Sequence, residues 1–159
     1  VRNQIARYLC RVDDDLVLRR QVCFALYTAS RAVTDVYRPI LDELGLTYPQ
    51  YLVLLVLWER GEAAPTVSEL GADLRLDSGT LSPLLKRLEG AGLLVRRRAA
   101  RDERRVEIEL TAAGRALRDR ACDVPHRVAA STGLTLDELV ALRDTLTRVT
   151  ETIHRHKGK

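Results

Sequence analysis

The sequence predicts a mainly α-helical fold carrying one small β-hairpin wing, a winged helix-turn-helix dimerised through its N- and C-terminal helices. Three observations predict it. Two short helix signatures, Thr66-Val-Ser-Glu69 and a start at Asp77 or Ser78, flank a tight turn. Two strand-like runs follow directly, joined by a charged tip. The last helix carries Leu139, Leu142, Leu146, Val149 and Ile153 at spacings of three and four, a seam that a chain of this size would leave exposed.

In chain order, residues 1–15 read as a flexible N-terminal arm ending in the acidic run Asp13, Asp14 and Asp15. A helical pattern begins near Leu16, with Val22, Leu26, Ala29 and Val33 on one face. Pro39 is expected to kink or break it, leaving a separate turn over 40–44 closed by Gly45. Thr47-Tyr-Pro-Gln50 opens a helix that should run to about Arg60, with Thr47 capping and Pro49 in the first turn. The Thr66 helix ends near Leu74. The helix that follows runs to about Ala91, stops at Gly92 and tolerates Pro83.

Strands are expected over 93–97 and 105–110, the second alternating Val106, Ile108 and Leu110 with Glu107 and Glu109, around a tip at 98–104. Thr111 opens another helix that Pro125 should bend or divide, and Thr135-Leu-Asp-Glu138 starts the last. The expected organisation is arm 1–15, N-terminal dimerisation helix region 16–46, DNA-binding region 47–110 and C-terminal dimerisation helices 111–159.

Hydrophobic residues make up 46% of the chain, enough for a real core, but only 4% are aromatic, so that core should be Leu, Val and Ala. The net charge of +4 is mild, yet its location is not: residues 86–105 hold eight basic and three acidic side chains, so this window carries +5 and the remainder −1. The basic excess therefore coincides with the second helix of the helix-turn-helix and the hairpin. No apolar run approaches 18 residues, so no membrane span is expected, and three cysteines, Cys10, Cys23 and Cys122, make no disulfide framework. A reducing cytoplasm is the expected location, with no cofactor and no metal; His154 and His156 read as a solvated tail.

A recognition helix enters the major groove of double-stranded DNA N-terminus first. Ser78, Thr80 and Ser82 suit bases or phosphates there, and Lys86 and Arg87 suit phosphates or guanine. From the tip, Arg98 and Arg101 add cationic contacts. Arg104 suits a narrow minor groove, with Asp102 two residues earlier to hold its guanidinium. A two-fold dimer would then read an inverted-repeat operator with half-sites about 34–36 Å apart.

The order of elements, together with Cys23-Phe-Ala-Leu-Tyr27, Leu46-Thr-Tyr-Pro-Gln-Tyr51, Leu76-Asp-Ser-Gly-Thr80, Pro83-Leu-Leu-Lys-Arg-Leu88 and Asp102-Glu-Arg104, resembles the MarR family. Within it, the resemblance is to the organic hydroperoxide resistance regulators (OhrR), and it spans about residues 21–153. It implies a repressor that releases DNA when a cysteine is oxidised by an organic hydroperoxide. Cys23 falls at the family's sensing position. Tyr27, one helical turn on, and Tyr37 and Tyr48, given across the family's dimer interface, would support its thiolate. Read without the family, a lone cysteine on an apolar helix face is a small buried hydrophobe, and each tyrosine is as readily interface packing. The family's second cysteine aligns near Ala129, so Cys122, about two turns earlier, is either a displaced resolving thiol or inert; in the second case an external small thiol completes the chemistry. An alternative is a regulator of the same fold that responds to a non-covalent phenolic or aromatic ligand. No base or peroxidase motif accompanies Cys23, so an enzyme is not expected.

Overall fold

The computed structural model describes residues 16–99 and 102–157, in two units, 1–36 and 37–159. The arm, Cys10 and Arg101 lie outside the described residues, and so do the side chains of Asp102 and Arg104. The helical pattern expected from Leu16 begins instead as a single 3-10 turn, Leu18–Arg20. Helix α1 then spans Val22–Asp42.

Pro39 does not break α1, which runs through it to Asp42, so the separate turn expected over 40–44 does not form. A proline removes one N–H rung from the turn before it, so the residues that follow must be held in the helix by something else. The turn after Pro39 is held by burial: Ile40 and Leu41 are both in the core. The helix stops where Leu46 N–H reaches back to the Leu41 carbonyl at 3.0 Å, which requires the left-handed backbone that Gly45 supplies at φ 69°.

Helix α2, Tyr48–Arg60, starts at Thr47, whose backbone N–H donates to Gln50 Oε1 at 2.8 Å. Helices α3, Val67–Leu74, and α4, Ser78–Gly90, form the helix-turn-helix. At the start of α3, Thr66 N–H donates to Glu69 Oε2 at 2.7 Å and Glu69 N–H donates back to Thr66 Oγ1 at 3.2 Å. Arg75 takes the left-handed position between the helices, φ 55°, an unusual place for a side chain with a Cβ. It lets Leu76 N–H close on the Gly71 carbonyl at 2.9 Å.

Strands β1, Leu94–Ala99, and β2, Asp102–Leu110, pair antiparallel from Leu94 opposite Leu110 to Arg98 opposite Val106, with a bulge before Ala99. The expected tip at 98–104 is thus shorter: the strands take in its flanks. Cross-strand pairing carries the hairpin past the point where side-chain alternation stops. The loop before α3 joins the same sheet edge, with Ile108 N–H donating to the Pro65 carbonyl at 2.9 Å and Thr66 bridging Glu107.

Helix α5, Ala112–Ala121, is capped by Thr111, and Pro125 sits in the first turn of α6, Val124–Thr132. The chain therefore divides ahead of the proline rather than bending at it. The core of this unit joins Leu54 and Leu57 of α2, Leu70 of α3, Leu81, Leu85 and Leu88 of α4 and Ile108 of β2, all essentially inaccessible. Trp58 ties α2 to α5 by donating from Nε1 to the Gly114 carbonyl at 2.9 Å. Helix α7, Leu136–Lys157, begins with the expected cap, Thr135 N–H to Glu138 Oε2 at 2.8 Å, and buries no side chain. Among the described residues, Leu142 (47%), Val149 (40%) and Ile153 (52%) of its predicted seam are exposed, and Leu139 and Leu146 are half-buried. No described helix is long and apolar enough to cross a membrane.

Candidate nucleic-acid interface and cysteine site

Helix α4 has two faces, and its sequence sets them. Leu81, Leu85 and Leu88, at i, i+4 and i+7, anchor it in the core. Ser78, Ser82 and Lys86, at i, i+4 and i+8, therefore fall together on the solvent side, along one open surface with Gly79, Pro83 and Arg96. Arg87 and Arg98 are also exposed.

Thr80 has a local partner as well. Its backbone N–H and its hydroxyl both donate to the Asp77 carboxylate, each at 2.9 Å, so it completes the cap of α4. These bonds hold the Asp77 carboxyl below the usual carboxylate range, the backbone N–H contributing most. The hydroxyl proton is thereby committed, and what Thr80 offers outward is its methyl group and acceptor lone pairs. The i,i+3 spacing of Asp77 and Thr80 is a cap signal that identifies this role.

Arg96 was not among the side chains expected here. It lies on the inward face of β1, two residues from buried Leu94 and opposite buried Ile108. From there Arg96 Nη2 donates to the Ser82 carbonyl at 3.4 Å, and Nε sits 3.3 Å from Glu89 Oε2. The wing is thus fastened to α4, and strand parity is the signal that could have found it. Two other arginines of the basic window are paired with carboxylates, Arg97 with Glu109 at 3.1 Å and Arg105 with Glu69 at 3.5 Å. The window's formal charge therefore overstates what faces outward around β1 and β2.

Cys23 lies near the start of α1 and is exposed, not a buried hydrophobe within its unit. Val22 is 73% exposed, and Leu26 and Val33 are 38% exposed each, so the apolar face around it is uncovered there. Tyr27 follows one turn on, and its hydroxyl oxygen accepts from Arg31 Nη1 at 2.8 Å. The Arg31 guanidinium also stands 5.6 Å from the Tyr27 ring centre.

Tyr37 and Tyr48 meet in the other unit, ring centres 4.6 Å apart, and Tyr51 joins them 6.1 Å from Tyr37. Burial, then the neighbouring Tyr48 and Tyr51, pushes the Tyr37 phenol up to about 12. Burial also raises Tyr48 and Tyr51. These phenols stay protonated near neutral pH and keep an O–H to donate. Tyr51 was absent from the expected set, although its i,i+3 spacing from Tyr48 places both on one face of α2.

Cys122 sits between α5 and α6, exposed, with its thiol donating to the Asp119 carbonyl at 2.9 Å. Ala129 lies on α6 and is half-buried. Among the described residues no group of His, Cys, Asp and Glu could hold a metal ion.

The family model of transcriptional regulator SarA/Rot matches residues 35–120. The chain is 50% identical to the HTH-type transcriptional regulator TtmR of Methylorubrum extorquens, over 92% of this chain and 74% of that protein. It is 44% identical to the organic hydroperoxide resistance transcriptional regulator of Bacillus subtilis, over 89% and 95%. Among solved structures it is similar to reduced AbfR bound to DNA, at 33% identity and TM-score 0.71, covering 96% of this chain and 99% of AbfR. AbfR with its disulfide formed is 31% identical at TM-score 0.60, covering 99% of each chain. With its winged helix-turn-helix built as described and these relatives matched along most of its length, the chain belongs to the MarR/SarA superfamily of transcriptional regulators.

Proposed function

We propose that this chain is an organic hydroperoxide-responsive repressor of the OhrR kind, a cytoplasmic homodimer that grips an inverted-repeat operator and releases it when Cys23 is oxidised. The observation that carries the reading is the placement of Cys23: exposed on α1, one turn from Tyr27, on an apolar face that its own unit leaves open. The resemblance to a hydroperoxide resistance regulator, and to a protein solved in reduced and disulfide forms, supports it. In this reading 16–46 and 111–159 form the dimer and 47–110 the DNA-binding region, with 1–15 an arm. Tyr27, with Tyr37 and Tyr48 of the partner copy, supports the thiolate. Cys122 or a small external thiol then resolves the sulfenic acid. The thiolate attacks the peroxide, and the changed sulfur displaces the helices that carry two DNA-reading heads.

The test is mass analysis of Cys23 after one equivalent of organic hydroperoxide, alongside operator binding by the same sample. Cys23→Ser is expected to bind operator as the reduced protein does and to keep it in peroxide. Peroxide release from Cys23→Ser would refute the sensor. Release of that variant by a non-oxidising phenol would favour a ligand-responsive regulator instead.

On the DNA side, Ser78, Ser82, Lys86 and Arg87 of α4 meet the major groove, with Thr80 presenting its methyl group, while Arg98, Arg101 and Arg104 of the wing, with Asp102, reach the flanking groove. Lys86→Ala is expected to weaken binding to all sequences alike and to lower the slope of log affinity against log salt by about 0.9, one phosphate's worth. A slope unchanged in a salt titration would remove Lys86 from the phosphate contacts.

A further inference from the structure

We infer that Arg31 is a positioning residue for oxidation of Cys23, and that it selects hydroperoxides whose departing oxygen is strongly basic. This rests on the reading of Cys23 as the peroxide-reactive thiol. Cys23, Tyr27 and Arg31 stand at i, i+4 and i+8 on α1, one above another on one helix face. Long side chains on a helix lean toward its N-terminus, which brings Arg31 to Tyr27, and Tyr27 stands one turn from Cys23. Arg31 Nη1 donates to the Tyr27 hydroxyl oxygen at 2.8 Å, with the guanidinium 5.6 Å from the ring centre.

A guanidinium has donors only. Arg31 therefore occupies the acceptor side of the phenol, and the phenolic hydrogen is what remains to be given to a peroxide reacting at Cys23, one turn away. A phenol that accepts from a cation is also a stronger donor, because the bonds polarise one another.

The Cys23 thiolate donates a lone pair to the terminal oxygen of ROOH. The S–O bond forms, the O–O bond breaks, and RO⁻ leaves with the bonding pair. Sulfur is oxidised by two electrons to the sulfenic acid and the peroxide is reduced. RO⁻ takes the Tyr27 proton to become ROH, and the phenolate, held beside Arg31, is reprotonated from water. An alkoxide is a strong base and gains most from that donor. A carboxylate leaving from a peracid is a weak base and gains little.

The test compares the rates at which tert-butyl hydroperoxide and peracetic acid oxidise Cys23 in the reduced full-length protein, followed by quenched mass analysis. The same thiolate attacks both, so the ratio of rates cancels any change in thiolate fraction. Arg31→Leu is expected to slow the alkyl hydroperoxide at least about tenfold and the peracid less than about twofold. Arg31→Lys, which keeps the charge and a donor, restores most of the lost rate. In a Tyr27→Phe background Arg31→Leu adds no further loss, because its effect passes through the phenol. Equal slowing of both oxidants, no slowing, or additive losses would overturn the assignment while leaving Cys23 as sensor. A wild-type Cys23 inert to tert-butyl hydroperoxide would overturn the sensor reading itself, and this one with it.

Discussion

Gly114→Ala is expected to destabilise the protein by about 3 kcal/mol or more, although it puts the best helix former into a helix. In an open helical position alanine is favoured over glycine by about 1 kcal/mol. At Gly114 the added Cβ would be driven into the Leu93 carbonyl oxygen, 3.0 Å from the Leu93 carbonyl carbon and 3.1 Å from Leu110 Cδ2. Two of those atoms are backbone and cannot swing aside. The Leu93 carbonyl also accepts from Thr111 N–H at 3.1 Å, at the junction of wing and α5. The Gly114 carbonyl meanwhile accepts the buried Trp58 indole. Relief thus requires α5 to move off α2, and overpacking of this kind exceeds the propensity gain.

In thermal unfolding at fixed protein concentration, the midpoint should fall by about 6–12 °C for a chain of this length. Gly90→Ala is the control. It also lies in a helix, but its Cβ would meet nothing within 4 Å, so it should be neutral or slightly stabilising. A Gly114→Ala protein as stable as the parent would mean that the close approach to Leu93 is not a feature of the folded state.

Leu142→Asp is expected to convert the dimer to monomers and to lower operator affinity by about 10²–10⁴. Leu142 lies mid-seam on α7 between half-buried Leu139 and Leu146, and is itself 47% exposed in the chain. It contributes nothing to the core, so the single chain should fold with the substitution. In a two-fold dimer the same change sets a carboxylate into both copies of one apolar interface, and burying unpaired charge is costly. Loss of the second DNA-reading head removes the gain from bivalent binding, which is the source of the affinity range. Sedimentation and operator titration on one sample check both. A variant that stays dimeric would relocate the interface away from this seam.

What was legible in advance was short-range. Thr47 with Gln50, Thr66 with Glu69 and Thr135 with Glu138 form bonds three residues apart, and each helix began where those pairs said it would. The leucines at 81, 85 and 88 defined the buried side of α4, and hence its outward side, by period alone. Pro39 and the strand ends turned on partners distant in the chain. Pro39 looked like a breaker because the sequence does not state that Ile40 and Leu41 will be buried behind it. The strand ends outran their alternation because a partner strand, not local pattern, carries them. The bond of the Thr80 hydroxyl to Asp77 spans only three residues and adds a capping role to the one expected of it.

Periodicity and capping chemistry in the sequence alone were enough to determine a winged helix-turn-helix, the outward side of α4, and an apolar seam on the last helix. These are properties of residues within a turn or two of each other, where geometry is nearly obligatory. Only the tertiary structure decided that Arg96 reaches back from the wing to Ser82 and Glu89, that Gly114 has no room for a Cβ, and that Tyr51 joins Tyr37 and Tyr48. Each of those depends on which surfaces meet when the core closes, and packing of distant segments is set by the sum of many contacts rather than by any local code.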